Sequence, residues 1–381
     1  MSKEIHLVAL DIPFPADYGG GIDQFHLIRT LHHIGIGIHL HCFKYKQTEQ
    51  SALTQYCKSV YYYDRIEGHA GFSHKLPYIV STRSNEQLYR RLLNNNYPIL
   101  LEGIHTSGMI LDPRFSKRRI YIRSHNVEQL YYSALIGCTT SLFRKLYYQH
   151  EAYLLKKYES SLAEKVSAIF TLSQTDTHFY RTNYKKATVI EVPVFLPDWE
   201  LSTQTGMGSY CLYHGDLSVE ANEKAAIWLL KNVFNDLKLP FVIAGKNPSD
   251  KLNELAHSQQ HTCLVANPAE KELQDMIAKA HIHVLPSFID TGIKIKLINA
   301  LFNGKHVIVN DATVRGSGLE AACHIGTTAT AFKNIISQLY HQPFTEEETT
   351  IRKKLLENRF DNRVNAHTII ETIFEAKPSS N

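Results

Sequence analysis

Pro286-Ser-Phe-Ile-Asp-Thr-Gly-Ile-Lys-Ile-Lys-Leu-Ile-Asn-Ala-Leu-Phe-Asn-Gly-Lys-His-Val-Ile-Val309 is the stretch that decides the fold. It reads as a loop that opens a helix over 292–303 and then feeds a buried apolar strand at 307–310. Gly292 lets the backbone approach a ligand closely, the first helical N–H groups lack intrahelical acceptors, and Lys294 and Lys296 set positive charge beside them. A turn of this kind holds an anion, and a diphosphate suits it.

The same strand-then-helix alternation extends outward in both directions. Apolar strand-like runs fall at 210–213, 241–244, 263–265 and 281–285, with helical periodicity at 221–233, 250–257 and 270–279 between them. Upstream of these, residues 193–208 lose periodicity and gather Pro, Thr and Gly, as an interdomain linker does. The first half repeats the pattern. A strand at 5–10 is followed by a Gly-rich turn, a helix at 22–33, Gly35 as its stop and a strand at 36–43. Strands at 99–102 and 120–123, a long helix at 141–164 and a strand at 168–172 continue it. The expected fold is α/β, with two doubly wound parallel-sheet domains. The expected boundaries are 1–198, 199–356, and a tail at 357–381 whose Val364, Ile369, Ile370 and Ile373 recur at helical spacing.

Composition agrees with a globular chain of two domains: 381 residues, 44% hydrophobic, 20% charged, net charge +4. Charges are mixed along the chain, so no block resembles a nucleic-acid-binding arm, and no nucleic-acid partner is expected. The six cysteines form no C-x-x-C pair, which suits a reducing cytoplasm and reads as six buried small side chains. Nowhere do about 18 apolar residues run together. The segment 141–158 mixes aromatic and basic residues at helical spacing, a pattern also found on enzymes that rest on anionic membrane surfaces, so peripheral contact with the inner face of a membrane stays open.

Several pieces, in order, resemble the retaining glycosyltransferases of family four (glycosyl transferases group 1). Pro13-Phe-Pro-Ala-Asp-Tyr-Gly-Gly-Gly21 is similar to that family's glycine-rich segment after the first strand, and Arg123-Ser-His-Asn-Val-Glu128 to its His segment. Tyr213-His-Gly-Asp-Leu217 with Asn222 and Trp228, and Ile243-Ala-Gly-Lys246, are similar to the blocks that open its second domain. The segment from Thr291 is similar to a subgroup pattern T-G-I-K-x-K-x-x-E-A-x-x-x-G-K-x-V-V.

The resemblance implies a GT-B fold of two facing Rossmann-like domains with a cleft between them. The tail would cross back onto the first domain. It further implies transfer of a hexose, with retention, from a nucleoside diphosphate sugar to a glycan or lipid-linked acceptor in envelope polysaccharide or glycoconjugate assembly. His125, Lys246 and Lys294 are then the catalytic candidates. Gly19, Gly20, Gly21, Gly215, Asp216, Gly292, Ile293, Lys296 and Asn299 are the donor-binding candidates. Glu102 and His105, at another strand end, either reach the acceptor or cap the next helix. No D-x-D pair occurs in the chain, so no metal and no separate cofactor is expected for the reaction.

The family's two glutamates, separated by seven residues, are here Thr291 and Asn299. That departure keeps a catalytically silent partner subunit in view, beside a nucleotide-sugar epimerase. A nicotinamide-dependent oxidoreductase is disfavoured, because no G-x-G-x-x-G follows the first strand.

Overall fold

Among the described residues, short apolar runs flanked by Gly, Pro and polar residues form thirteen strands, each buried on both faces where it is central, as parallel sheets covered by helices require. The computed structural model describes residues 3–16, 18–44, 48–357 and 359–375. Asp17 of the 13–21 stretch, and residues 358 and 376–381 of the expected tail, lie outside these.

The first sheet contains β1 (Glu4–Ala9), β2 (Gly37–Lys44), β3 (Ser59–Asp64), β4 (Ile99–Glu102), β5 (Ile120–Ser124), β6 (Ala168–Thr171) and β7 (Val189–Glu191). Their order is β3-β2-β1-β4-β5-β6-β7, and every pairing is parallel. The second sheet contains β8 (Cys211–Asp216), β9 (Phe241–Lys246), β10 (Thr262–Ala266), β11 (Ile282–Leu285), β12 (His306–Val309) and β13 (His324–Ile325), ordered β10-β9-β8-β11-β12-β13 and again all parallel. The direction of winding reverses between β1 and β4 in one sheet and between β8 and β11 in the other. At such a reversal the loops leaving the carboxyl ends diverge and leave room for a ligand.

The chain divides into two compact units, one of Met1–Tyr132, Tyr147–Pro197 and Phe360–Asn381, the other of Ser133–Leu146 and Asp198–Arg359. Residues 133–146, expected with the first domain, therefore go with the second unit. The helix Asn362–Phe374 packs into the first: Ala366, Ile369, Ile370 and Ile373 join Leu27, Leu31 and Phe195 in one buried cluster. Val364 does not, since it points to solvent.

Three further expectations change. The run 141–164 is one helix, Leu142–Ala163, preceded by a separate helix, Glu128–Ile136, that periodicity alone did not show. Only Cys42 and Cys211 are fully buried, whereas Cys263 is exposed on a strand with a solvent face. The helix expected at 292–303 begins at Ile295, because Gly292 sits at φ +68 and Lys294 is extended at φ −99, ψ 95, neither of which continues a helical turn.

β8 and β9 converge so closely at their carboxyl ends that a Cβ on Gly245 would lie 2.0 Å from the Gly215 carbonyl oxygen. The obstacle is backbone, which cannot rotate away. Gly245→Ala should therefore lower unfolding free energy by about 3 kcal/mol, read as a reduced denaturation midpoint.

Candidate functional site

The first unit gathers its polar groups at the β1/β4 reversal. Asp23 lies on the helix Gly19–His33, Glu102 closes β4, Arg123 lies in β5, and His125 follows that strand. Alternation along a strand would place Arg123 in an apolar layer, and it survives there because two carboxylates pair its charge. Its Nη2 donates to Asp23 Oδ1 at 2.7 Å and its Nη1 to Glu102 Oε2 at 3.3 Å, with the guanidinium 5.1 Å from the Phe195 ring. Burial by itself would lower the pKa of Arg123, but Asp23 and Glu102 outweigh it and raise it. The Phe195 N–H donates to Asp23 Oδ1 at 2.7 Å, which ties the 192–196 segment to the same carboxylate.

His125 Nε2 donates to Glu102 Oε2 at 2.7 Å. That bond fixes the ring's orientation. Asp23, Glu102 and His125 converge closely enough to hold a cation, yet the Arg123 guanidinium already bonds both carboxylates. The cluster is therefore an ion-pair network that positions His125. His105 is half-buried, and desolvation, aided by the nearby Arg83, holds its pKa well below the ordinary value, which favours the neutral ring.

Gly19, Gly20 and Gly21 differ from expectation, because they form the first helical turn and not a loop. A Cβ at Gly20 or Gly21 would come within 3.1 or 2.8 Å of the Tyr18 ring, so these glycines make room for Tyr18 over the helix end. Asp23, two residues on, is the group that sequence reading missed.

The second unit places Gly215, Asp216, Lys246 and the 286–294 loop at its own reversal. Asp216 and Lys246 are register partners at the ends of β8 and β9. Asp216 Oδ1 accepts from the Ser218 N–H and hydroxyl, which shapes the turn that follows. Asn247 and Asn267, after β9 and β10, both adopt left-handed backbone, at φ 49 and φ 54, and the Asn267 side chain accepts from the Asn247 N–H at 2.9 Å. Ile293 is half-buried in the loop before the helix Ile295–Asn303.

The two lysines at the start of that helix part company. Lys294 Nζ turns back on its own segment and donates to the Thr291 carbonyl at 2.5 Å and the Gly292 carbonyl at 3.2 Å, bracing the loop. Lys296 points inward. Its Nζ donates to Asn222 Oδ1 at 3.0 Å and Tyr213 Oη at 3.1 Å, lies 4.6 Å from the Tyr213 ring, and stands 3.8 Å from where a Cβ on Gly215 would be. All its partners are neutral, and no carboxylate pairs with it among the described residues. Burial, with Lys294 adding repulsion, lowers its pKa to about 7.

Asn299 is buried, and its Oδ1 accepts from Asn303 Nδ2 at 2.8 Å. Thr291 is buried too, its hydroxyl without a partner. The two positions where the resembled family carries glutamate are thus both enclosed.

Residues 208–342 match the family described as glycosyl transferases group 1. Over 335 residues the chain is 24% identical to an uncharacterized 44.6 kDa protein in the cps region of Klebsiella pneumoniae, covering 83% of this chain and 84% of that one. Among solved structures it is similar to sucrose-phosphate synthase from Thermosynechococcus elongatus (TM-score 0.72, 15% identity, 98% of this chain and 100% of that one). It is likewise similar to WaaG, a glycosyltransferase involved in lipopolysaccharide biosynthesis (TM-score 0.65, 11% identity, 97% and 99%). A third likeness is to HepE of Anabaena in complex with UDP and glucose (TM-score 0.63, 12% identity, 97% and 99%). The chain has the GT-B fold.

Within the segment that matches glycosyl transferases group 1, β8, β9 and the first turn of the helix Ile295–Asn303 bring Gly215, Asp216, Lys246 and Lys296 to one edge of the sheet. His125 belongs to the other unit of this GT-B chain, on a support of its own. That support should be costly to disturb: Arg123→Met would leave the buried carboxylates of Asp23 and Glu102 without the guanidinium that neutralises them, and the expected loss is about 3–5 kcal/mol of unfolding free energy in urea.

Proposed function

We propose that this GT-B protein is a retaining hexosyltransferase that uses a nucleoside diphosphate sugar and passes the sugar to a glycan or lipid-linked acceptor in envelope polysaccharide assembly. The observation that carries the reading is Lys296, a half-buried, inward-pointing cation with only neutral partners beside Gly215 at the turning point of the sheet. A diphosphate at that edge would supply the missing negative charge. The helix Ile295–Asn303 adds its first N–H groups to the same anion.

When the bond between the anomeric carbon and the donor phosphate oxygen breaks, the electron pair leaves with the diphosphate. Lys296 and the helix dipole stabilise the charge as it develops, and Lys246 is placed to add to them. The acceptor hydroxyl attacks the anomeric carbon from the departing side, and its proton passes to the leaving phosphate oxygen, so no protein nucleophile is needed. His125, oriented by Glu102, is the first unit's candidate for hydrogen bonding to hydroxyls of the transferred sugar. No metal enters the scheme. The polysaccharide setting is supported by the cps-region relative and by the role in lipopolysaccharide biosynthesis stated for WaaG.

A second reading, a catalytically silent partner subunit, draws on Asn299, whose carbonyl oxygen is engaged by Asn303 and so less available to a ribose. Titration calorimetry with nucleoside diphosphates separates the two. In the free protein Lys296 loses its proton above about pH 7. A bound diphosphate holds that proton in place, so affinity should be greatest below pH 7 and fall by up to about tenfold per pH unit above it. Lys296→Met should bind about 10–100-fold more weakly at pH 6.5 and lose most of the pH dependence. Failure of every nucleoside diphosphate to bind the wild type would end the transferase reading in favour of the silent subunit.

Contact with a membrane surface is supported by Leu142, Phe143 and Leu146, which are 74%, 88% and 65% exposed beside Arg144 and Lys145. Three large apolar side chains in solvent at one helix end are costly unless something covers them. Co-sedimentation with vesicles rich in anionic lipid should capture the wild type, and Leu142→Ser/Phe143→Ser/Leu146→Ser should reduce capture at least about tenfold, since each buried side chain contributes about 1.5–3 kcal/mol.

A further inference from the structure

Away from the donor-facing edge, His306, His324 and Glu348 bring one ligand atom each within 4.8 Å of one another. His306 opens β12, His324 opens β13, and Glu348 lies in the first turn of the helix Glu346–Leu356. His306 Nδ1 is 3.0 Å from Glu348 Oε1, and His324 Nε2 is 3.9 Å from the same oxygen.

His306 faces an oxygen acceptor on each ring nitrogen, because its Nε2 lies 3.1 Å from the Gln342 carbonyl. A neutral imidazole has one N–H and can satisfy only one of them. The second contact needs a cation, which is either another proton or a metal. His324, too far from Glu348 for a hydrogen bond, nevertheless converges on the same oxygen. Tetrahedral zinc with bonds of about 2.0–2.1 Å sets its ligand atoms about 3.3 Å apart, close to the spacings found here.

The outer contacts are those that orient metal ligands. Nε2–H of His306 is held by a backbone carbonyl, and the other oxygen of Glu348, Oε2, accepts from the Thr345 N–H at 2.9 Å and the Thr345 hydroxyl at 3.0 Å. Nearby His281 is excluded as a ligand, since its Nδ1 accepts from the Gly208 N–H and its Nε2 bonds the Leu339 carbonyl.

We propose that His306, His324 and Glu348 form a zinc-class metal site, completed by water in the fourth position. The His324 side chain is 40% exposed, which gives the ion a path from solvent. The site lies at the amino ends of β12 and β13, opposite the edge that carries Lys296, so its role is structural. It fastens the helix Glu346–Leu356 to β13, an edge strand of only two residues held by two register pairs.

The test uses the full-length, untagged protein stripped with chelator and then given zinc chloride or, as a hard-cation control, magnesium chloride. Elemental analysis after desalting should find one zinc per chain, and zinc at about 100 times its dissociation constant should raise Tm by about 5–10 °C, with no response to magnesium. His324→Gln and Glu348→Gln, each checked for native circular dichroism, should lose the bound zinc and the Tm rise. A wild type that gains neither zinc nor stability would show that a second proton satisfies His306. Variants that keep both would place the zinc on other residues. Either result overturns the proposal.

Discussion

A buried guanidinium governs the first unit. Arg123 has no solvent exposure, and removing such a charge from water costs several kcal/mol unless its partners replace the lost hydration. Asp23 and Glu102 do so. Because they come from the helix after β1 and from the end of β4, the pairing fixes three elements relative to one another, and Phe195 adds a fourth through its backbone N–H. His125 inherits its orientation from the same carboxylate that compensates Arg123. The rigidity of that side chain is thus a by-product of solving a solvation problem.

Lys296 presents the opposite case. It too is a cation at the carboxyl edge of a parallel sheet, but its partners are a phenol and an amide oxygen, which solvate a charge without neutralising it. A group left in that condition has a depressed pKa and a high affinity for any anion that reaches it. Arg123 and Lys296 differ in how their charge is met: one is balanced by carboxylates within the fold, the other has only neutral partners. The match of residues 208–342 to glycosyl transferases group 1 falls on the unit that carries the unbalanced charge.

Much of the fold was legible because it rests on local patterning. Apolar runs bounded by Gly and Pro marked ten of the strands, and the parallel pairing followed from the helices between them. The strands that escaped reading, β3, β7 and β13, are all edge strands, with half-exposed or very short sequences such as Val189–Glu191 and His324–Ile325 that lack a continuous apolar run. Asp23 escaped because a lone acidic residue on a helix looks like a solvated face until its partner across the sheet is known. The glycines at 19–21 were read as a loop because glycine run length does not reveal that a neighbouring aromatic ring occupies the space they leave.

By itself the sequence determined the α/β alternation, the two sheets, the placing of Gly215, Gly292 and the lysine pair at strand ends, and the resemblance to a glycosyltransferase family. These depend on spacing along the chain, where hydrophobic period and turn residues act locally. The tertiary structure alone decided that Lys296 and not Lys294 turns inward to Tyr213 and Asn222, that Asn299 is spent on Asn303, and that Arg123 is flanked by two carboxylates. It alone brought His306, His324 and Glu348 to one point. The physical reason is that a side chain's direction and partners come from segments tens to a hundred residues away, and their charges and hydrogen bonds are balanced only once those segments are packed.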